Sequence, residues 1–308
     1  MGKFFDKLFI CYNDGLDQDL ASDKGQWRGK MYRLKIFAFG FLIFIMGCMI
    51  AGCTKQEPPK VYVTGSTTIF PYMRKISEIY SKKVDVRIRI SDGGSMKGIS
   101  ELIDGKCNVA MSSSPIPTEM FSHAESKGIQ IKGFPFADDM IVPIVHPTNP
   151  VNTLSLAQLQ GIYTGSIKSW ESVGGASKPI EVVNRDAPSG TGEIWKQVVM
   201  KSKDVKTGAV VQNSNSGVIA YVAEHPEAIG YISRSLLNHE VKPLTVNGVP
   251  ANKENAMQGK YPISRRLYLY VDEKDFPHHV KSLIVFVLGN GGQQIAEECG
   301  FMPLLALK

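Results

Sequence analysis

Residues 84–103 read VDVRIRISDGGSMKGISELI. Val84, Val86, Ile88 and Ile90 alternate with charged residues, the period of a strand with one buried face. Two glycines then break the pattern, and Met96, Ile99, Leu102 and Ile103 recur at helical spacing until Gly105 ends the run. The same order of strand, small-residue turn and helix stands upstream. There residues 61–63 lead through Gly65-Ser66-Thr67-Thr68 into an apolar face of Tyr72, Met73, Ile76, Ile79 and Tyr80. It begins again downstream, where residues 107–111 run into Ser112-Ser113-Ser114. Residues 129–136 and 140–146 read as two more strands, the second apolar enough to be covered on both faces. Strands alternating with helices predict an α/β fold with a mostly parallel sheet.

Further along, the spacing predicts helices over 154–161, from Ser189 onward, over 217–224, 278–288 and 293–298. Strands are predicted over 180–183, 228–233 and 267–271. Trp170 and Trp195, single aromatics beside helix signals, are expected to fill the core of the middle section. The layout suggests two α/β lobes with the second inserted into the first. Residues 60–140 plus 231–308 make lobe I, and residues 141–230 make lobe II.

The 308 residues carry 35 Lys+Arg against 29 Asp+Glu. The net charge of +6 is spread thinly, with no basic run, so nucleic acid is not an expected partner. Cys11, Cys48, Cys53, Cys107 and Cys299 contain no CxxC pair, which excludes a zinc knuckle and a thioredoxin-type site. No metal or cofactor is called for. Cys107 and Cys299 either pair in an oxidising compartment or stay buried as separate thiols.

From Met31, MYRLKIFAFGFLIFIMGCMIAGC places Arg33 and Lys35 ahead of an uncharged apolar stretch over 36–51. That is the length of a signal-peptide core and short for a spanning helix. Ile50-Ala51-Gly52-Cys53 resembles a bacterial lipobox. Residues 31–52 are therefore read as a lipoprotein signal peptide, Cys53 as the lipidated first residue and 53–59 as a tether; the alternative is an uncleaved anchor. Residues 1–30 set five aspartates where a positive segment belongs, so either translation starts at Met31 or the extension stays cytoplasmic. Beyond residue 52, 28 Lys+Arg face 24 Asp+Glu.

The small-residue loops carry the chemistry. Helices starting at the carboxyl ends of parallel strands point free N–H groups and a partial positive charge into a common crevice, where an anion settles without a metal. Residues 65–68, Asp92-Gly93-Gly94-Ser95 and residues 112–114 combine hydroxyl donors with glycines that admit close approach. Any one of them is also an ordinary helix cap. A fourth loop, Asn184-Arg185-Asp186-Ala187-Pro188-Ser189-Gly190-Thr191, adds a guanidinium, whose planar fork suits tetrahedral oxyanions. Read alone it is equally a surface arginine paired with Asp186. No GxSxG, GxxxxGK[ST] or HExxH occurs, which argues against a hydrolase elbow, a P-loop and a zincin.

Five segments in this order, VTGSTTIFP, SDGGSMKGISELIDGKCNVAMSSSPI, NRDAPSGTGEIW, SGVIAYVAEHPEAIGYIS and YPISRRLYLYV, resemble the phosphate-binding lipoproteins of phosphate ABC transporters, members of the type II periplasmic binding fold. The resemblance implies two lobes joined by two crossing strands, placed near 141–145 and 230–233. It implies phosphate contacts from Ser66, Thr67, Ser95, Ser113, Arg185, Ser189, Gly190 and Thr191. It implies a monomeric, non-enzymatic receptor, lipid-anchored at Cys53 in the bacterial cell envelope, that captures inorganic phosphate and delivers it to an inner-membrane permease. Some members carry aspartate where this chain has Ser113, an acceptor-only group that accepts the proton of hydrogen phosphate and repels sulfate. Asp92, Asp139 and Asp186 stand as substitutes. The alternatives are the same fold binding sulfate or molybdate, an exported hydrolase, and a tethered surface protein whose pocket is idle. Arg265 and Arg266 face either cleft or solvent.

Overall fold

The computed structural model describes residues 57–305, so the 1–30 extension, the signal peptide, Cys53 and most of the tether lie outside the described residues. The chain runs β1 (Lys60–Gly65), α1 (Phe70–Tyr80), β2 (Arg87–Asp92), α2 (Ser95–Ile103), β3 (Val109–Ser112), α3 (Thr118–Ser126) and β4 (Ile131–Val145). The middle holds β5 (Thr153–Leu154), α4 (Leu156–Thr164), β6 (Glu181–Arg185), α5 (Gly190–Val198), β7 (Val210–Gln212), α6 (Asn215–Glu224) and β8 (Ala228–Ser233). The last part holds β9 (Lys242–Pro243), β10 (Thr245–Val246), α7 (Lys253–Met257), β11 (Ser264–Asp272), α8 (His278–Leu288), α9 (Asn290–Glu298) and β12 (Met302–Pro303).

The main sheet has the order β2-β1-β3-β11-β4-β8-β6-β7. Its flanks are parallel: β1 pairs with β2 and β3, and β6 with β7 and β8. Its centre is antiparallel, because the chain passes between the halves outward along β4 and returns along β11. The expected mostly parallel sheet thus describes each flank but not the junction.

Two strands expected over 129–136 and 140–146 are one strand of 15 residues. The charges of Asp138 and Asp139 read as a break, yet β11 supplies a partner for each. Arg265 lies opposite Asp139 and Arg266 opposite Asp138 in the antiparallel register. A paired carboxylate no longer interrupts a buried strand.

Two large apolar clusters flank the sheet. One gathers Val61, Ile76, Phe136, Leu269 and Leu283; the other gathers Met140, Trp170, Trp195, Tyr231 and Tyr261. Each such side chain contributes about 1.5–3 kcal/mol on burial. Both tryptophans sit where expected, in the second cluster. Leu244, Val246, Tyr261 and Ile263 join it too, so the chain stays with the second half well past residue 231. β8 pairs with β4 and β6, and the return to the first half is the step from Ile263 into β11. Cys107 and Cys299 are separate thiols.

Candidate functional site

Loops from both halves of the sheet meet face to face. The α5 helix starts with Gly190, and a methyl built on it would stand 2.3 Å from Ser95 Oγ, 2.7 Å from Ser113 Oγ and 3.0 Å from Ser114 Oγ. Only a residue without Cβ allows that approach. Beside it the Met96 N–H donates across to Pro188 O at 3.1 Å. The expected residues of the first half and those of the 185–191 stretch are therefore brought together.

Each arrives by a local rule. Ser189 caps α5 by accepting the Gly192 N–H at 3.1 Å. The Glu193 N–H closes on Ser189 O. The N–H groups of Gly190 and Thr191, in the first turn, are left unspent at the positive end of the helix. Ser95 opens α2; its Oγ accepts the Ser113 N–H at 3.0 Å and lies 3.3 Å from Ser113 Oγ. Ser66 accepts the Thr68 N–H at 3.2 Å, which shapes the turn after β1. Thr67 Oγ1 accepts from Asn215 Nδ2 at 3.2 Å.

Arg185 ends β6 and is held from three sides. Nε donates to Gln212 O and Nη2 to Asn213 O, each at 3.1 Å. Its backbone N–H donates to the Tyr231 hydroxyl, and that ring stacks on Trp195 at 4.1 Å between centroids. Core packing thereby fixes the backbone at Arg185, and the two loop carbonyls hold its guanidinium. Asp186 lies 3.5 Å from Nη2, while Nη1 is buried with no hydrogen-bond partner among the described residues. A buried cationic donor left open costs free energy unless an anion meets it. Burial lowers the arginine pKa; Asp186 opposes the shift and the positive charge of Arg265 adds to it.

Sequence reading missed part of the site. Arg265 points inward, fully buried, with Nε and Nη2 on Asp139 Oδ2 at 3.0 and 2.8 Å. Arg266, one residue on, takes the exposed face and pairs with Asp138. The strand period of two separates them, but only the register with β4 tells which one is buried. Thr68, Ser114 and Asn215 also line the junction. Thr68 and Ser114 stood in loops already singled out, whereas nothing in the sequence marked Asn215.

Of the substitute acceptors, Asp92 is exposed and its carbonyl accepts from Lys97. Asp139 and Asp186 are each committed to a guanidinium. Asp139 Oδ1 and Asp186 Oδ1 are nonetheless buried with no hydrogen-bond partner among the described residues, so each carboxylate keeps an acceptor. No histidine bonds to Ser66, Ser95, Ser113, Ser114 or Ser189 among the described residues.

The PBP superfamily domain model matches residues 54–290. A relative described as phosphate-binding protein PstS from Borreliella burgdorferi is 26% identical over 277 residues, covering 85% of this chain and 97% of that protein. Another of the same description from Staphylococcus epidermidis is 29% identical over 252 residues, 77% of each chain. A solved structure described as a putative phosphate ABC transporter substrate-binding protein from Clostridium perfringens, with bound phosphate, is 31% identical. It has a TM-score of 0.75 and covers 80% of this chain and 100% of its own. An ABC-type phosphate transport receptor from Vibrio cholerae is 28% identical with a TM-score of 0.66, covering 79% and 99%.

Proposed function

The chain belongs to the PBP superfamily domain family, and on that premise we propose that it is a receptor which closes two lobes around inorganic phosphate and passes it to an ABC permease. One observation carries the reading: the open start of α5 at Gly190 faces the hydroxyls of Ser95, Ser113 and Ser114, with Arg185 Nη1 buried and unpaired nearby in sequence. Peptide N–H groups, alcohols and a guanidinium are all donors, the complement of a tetrahedral oxyanion. The phosphate-bound relative supports phosphate as that oxyanion.

The contacts come from Ser66, Thr67, Ser95, Ser113, Arg185, Ser189, Gly190 and Thr191, with Ser66 and Ser189 acting chiefly by shaping their turns. The proposed work is capture rather than catalysis, in line with the relatives described as phosphate-binding proteins. Closure turns about β4 and the entry to β11, bringing the 185–191 stretch onto the first half and excluding water. The envelope location, the lipid anchor at Cys53, the monomeric state and two lobes, the second running on to Ile263, belong to the same proposal.

Calorimetric titration with phosphate, sulfate and molybdate tests it. Saturable heat with phosphate, lost in Arg185→Ala, is the expected result. Tighter binding of sulfate or molybdate overturns the choice of ligand, and turnover of a chromogenic phosphate ester overturns the receptor reading.

A further inference from the structure

Arg265 has all five of its N–H donors engaged. Nε and one hydrogen of Nη2 go to Asp139, the other hydrogen of Nη2 to Thr68 Oγ1 at 3.2 Å, and those of Nη1 to Thr191 Oγ1 at 2.8 Å and Ser113 O at 3.4 Å. It has nothing left for an anion, and it cannot lose its charge. Asn215 is equally committed. Its Oδ1 accepts the Ser233 N–H, which fixes the amide, and Nδ2 donates to Thr67 and Thr68.

These bonds dictate which way the hydroxyls point. A hydroxyl has two acceptor sites and one proton. Thr68 Oγ1 accepts from both Asn215 and Arg265, so its own proton must be given away, and Thr191 Oγ1 lies 3.3 Å from it. Thr191 Oγ1 then accepts from Arg265 and from Thr68, which fills its two sites. Its proton has no acceptor among the described residues.

Resting on the phosphate reading above, we propose that Arg265 is a positioning residue of the anion site: held by Asp139 behind the loops, it makes the Thr191 hydroxyl an obligate donor to the bound oxyanion. The relay also joins the halves, since Thr68 belongs to the turn after β1 and Thr191 to the first turn of α5. Arg265 on β11 touches both where the chain crosses. A merely structural ion pair between β4 and β11 needs neither threonine.

A double-mutant cycle on the full chain tests this, read by phosphate calorimetry with the melting profile as a check on folding. Asp139→Asn with Arg265→Gln removes both charges together, so that no buried charge is left alone. Thr191→Val removes the hydroxyl. Each change is expected to weaken phosphate binding by about tenfold, the scale of one hydrogen bond to an ion. Combined, they are expected to cost less than about threefold beyond Thr191→Val alone. Losses that multiply to about a hundredfold overturn the proposal, as does wild-type affinity in a folded pair variant. If the pair variant fails to fold, Arg265→Lys, which keeps the charge but not the fork, is read by the same rule. A wild type with no phosphate heat overturns instead the reading on which the proposal rests.

Discussion

On the proposed reading Gly190 is the residue on which capture depends, for a reason that is geometric rather than conformational. A methyl there meets three serine oxygens only when the 185–191 stretch sits on the first half. With the cleft open, alanine is a good helix residue and no clash arises. Gly190→Ala is therefore expected to fold with an unchanged melting temperature and to lose phosphate affinity by about a hundredfold or more. The methyl displaces the ion from at least two donors, each worth about 1.5 kcal/mol or more when charge-assisted. Retained affinity in calorimetry would place the ion elsewhere. The two guanidinium charges do not titrate near neutrality, since Arg185 and Arg265 stay cationic despite the downward pull of burial on both. The arginines therefore contribute no change of affinity between pH 6 and 8.

At the scale of elements, β11 shows what a strand's period settles and what it leaves open. Arg265 and Arg266 point to opposite faces, one to the hidden relay and the other to an exposed pair with Asp138. Exposed pairs contribute about 0–1 kcal/mol. Arg266→Ala is thus expected to leave phosphate affinity unchanged and to move the melting temperature by no more than a few degrees, which calorimetry and a thermal scan check. The helix starts, the Ser and Gly loops and the 185–191 stretch were legible because caps, period and small-residue turns are local properties. The unbroken β4 was not legible, because Asp138 and Asp139 look like a turn until partners distant in sequence neutralise them. Asn215 was invisible for a similar reason: its bonds reach Thr67 and Thr68, about 150 residues away in a chain whose ordering only the fold supplies.

Across the whole molecule, the two halves meet at the site through hydrogen bonds of modest strength. The contacts between Thr68 and Thr191, Asn215 and Thr67, and Met96 and Pro188 are hydrogen bonds worth about 0.5–1.5 kcal/mol each, net of the water they replace. Two guanidinium groups whose charges oppose each other also lie along this junction, and Asp139 and Asp186 offset them only in part. An anion between the halves relieves that opposition, so the ligand belongs to the energetics of the closed form. Whatever binds the folded state and not the unfolded one stabilises it by mass action, about 2.7 kcal/mol at a hundred times the dissociation constant. For a chain of this size that is expected to raise the melting temperature by about 5–11 °C. Phosphate should produce the rise in the wild type and not in Arg185→Ala, because the variant loses a buried cationic donor, Nη1, that has no hydrogen-bond partner among the described residues. A thermal scan with and without phosphate reads both. Equal shifts in the two proteins would mean that phosphate stabilises the chain at some other place, and no shift in either would mean that the cleft does not close on it.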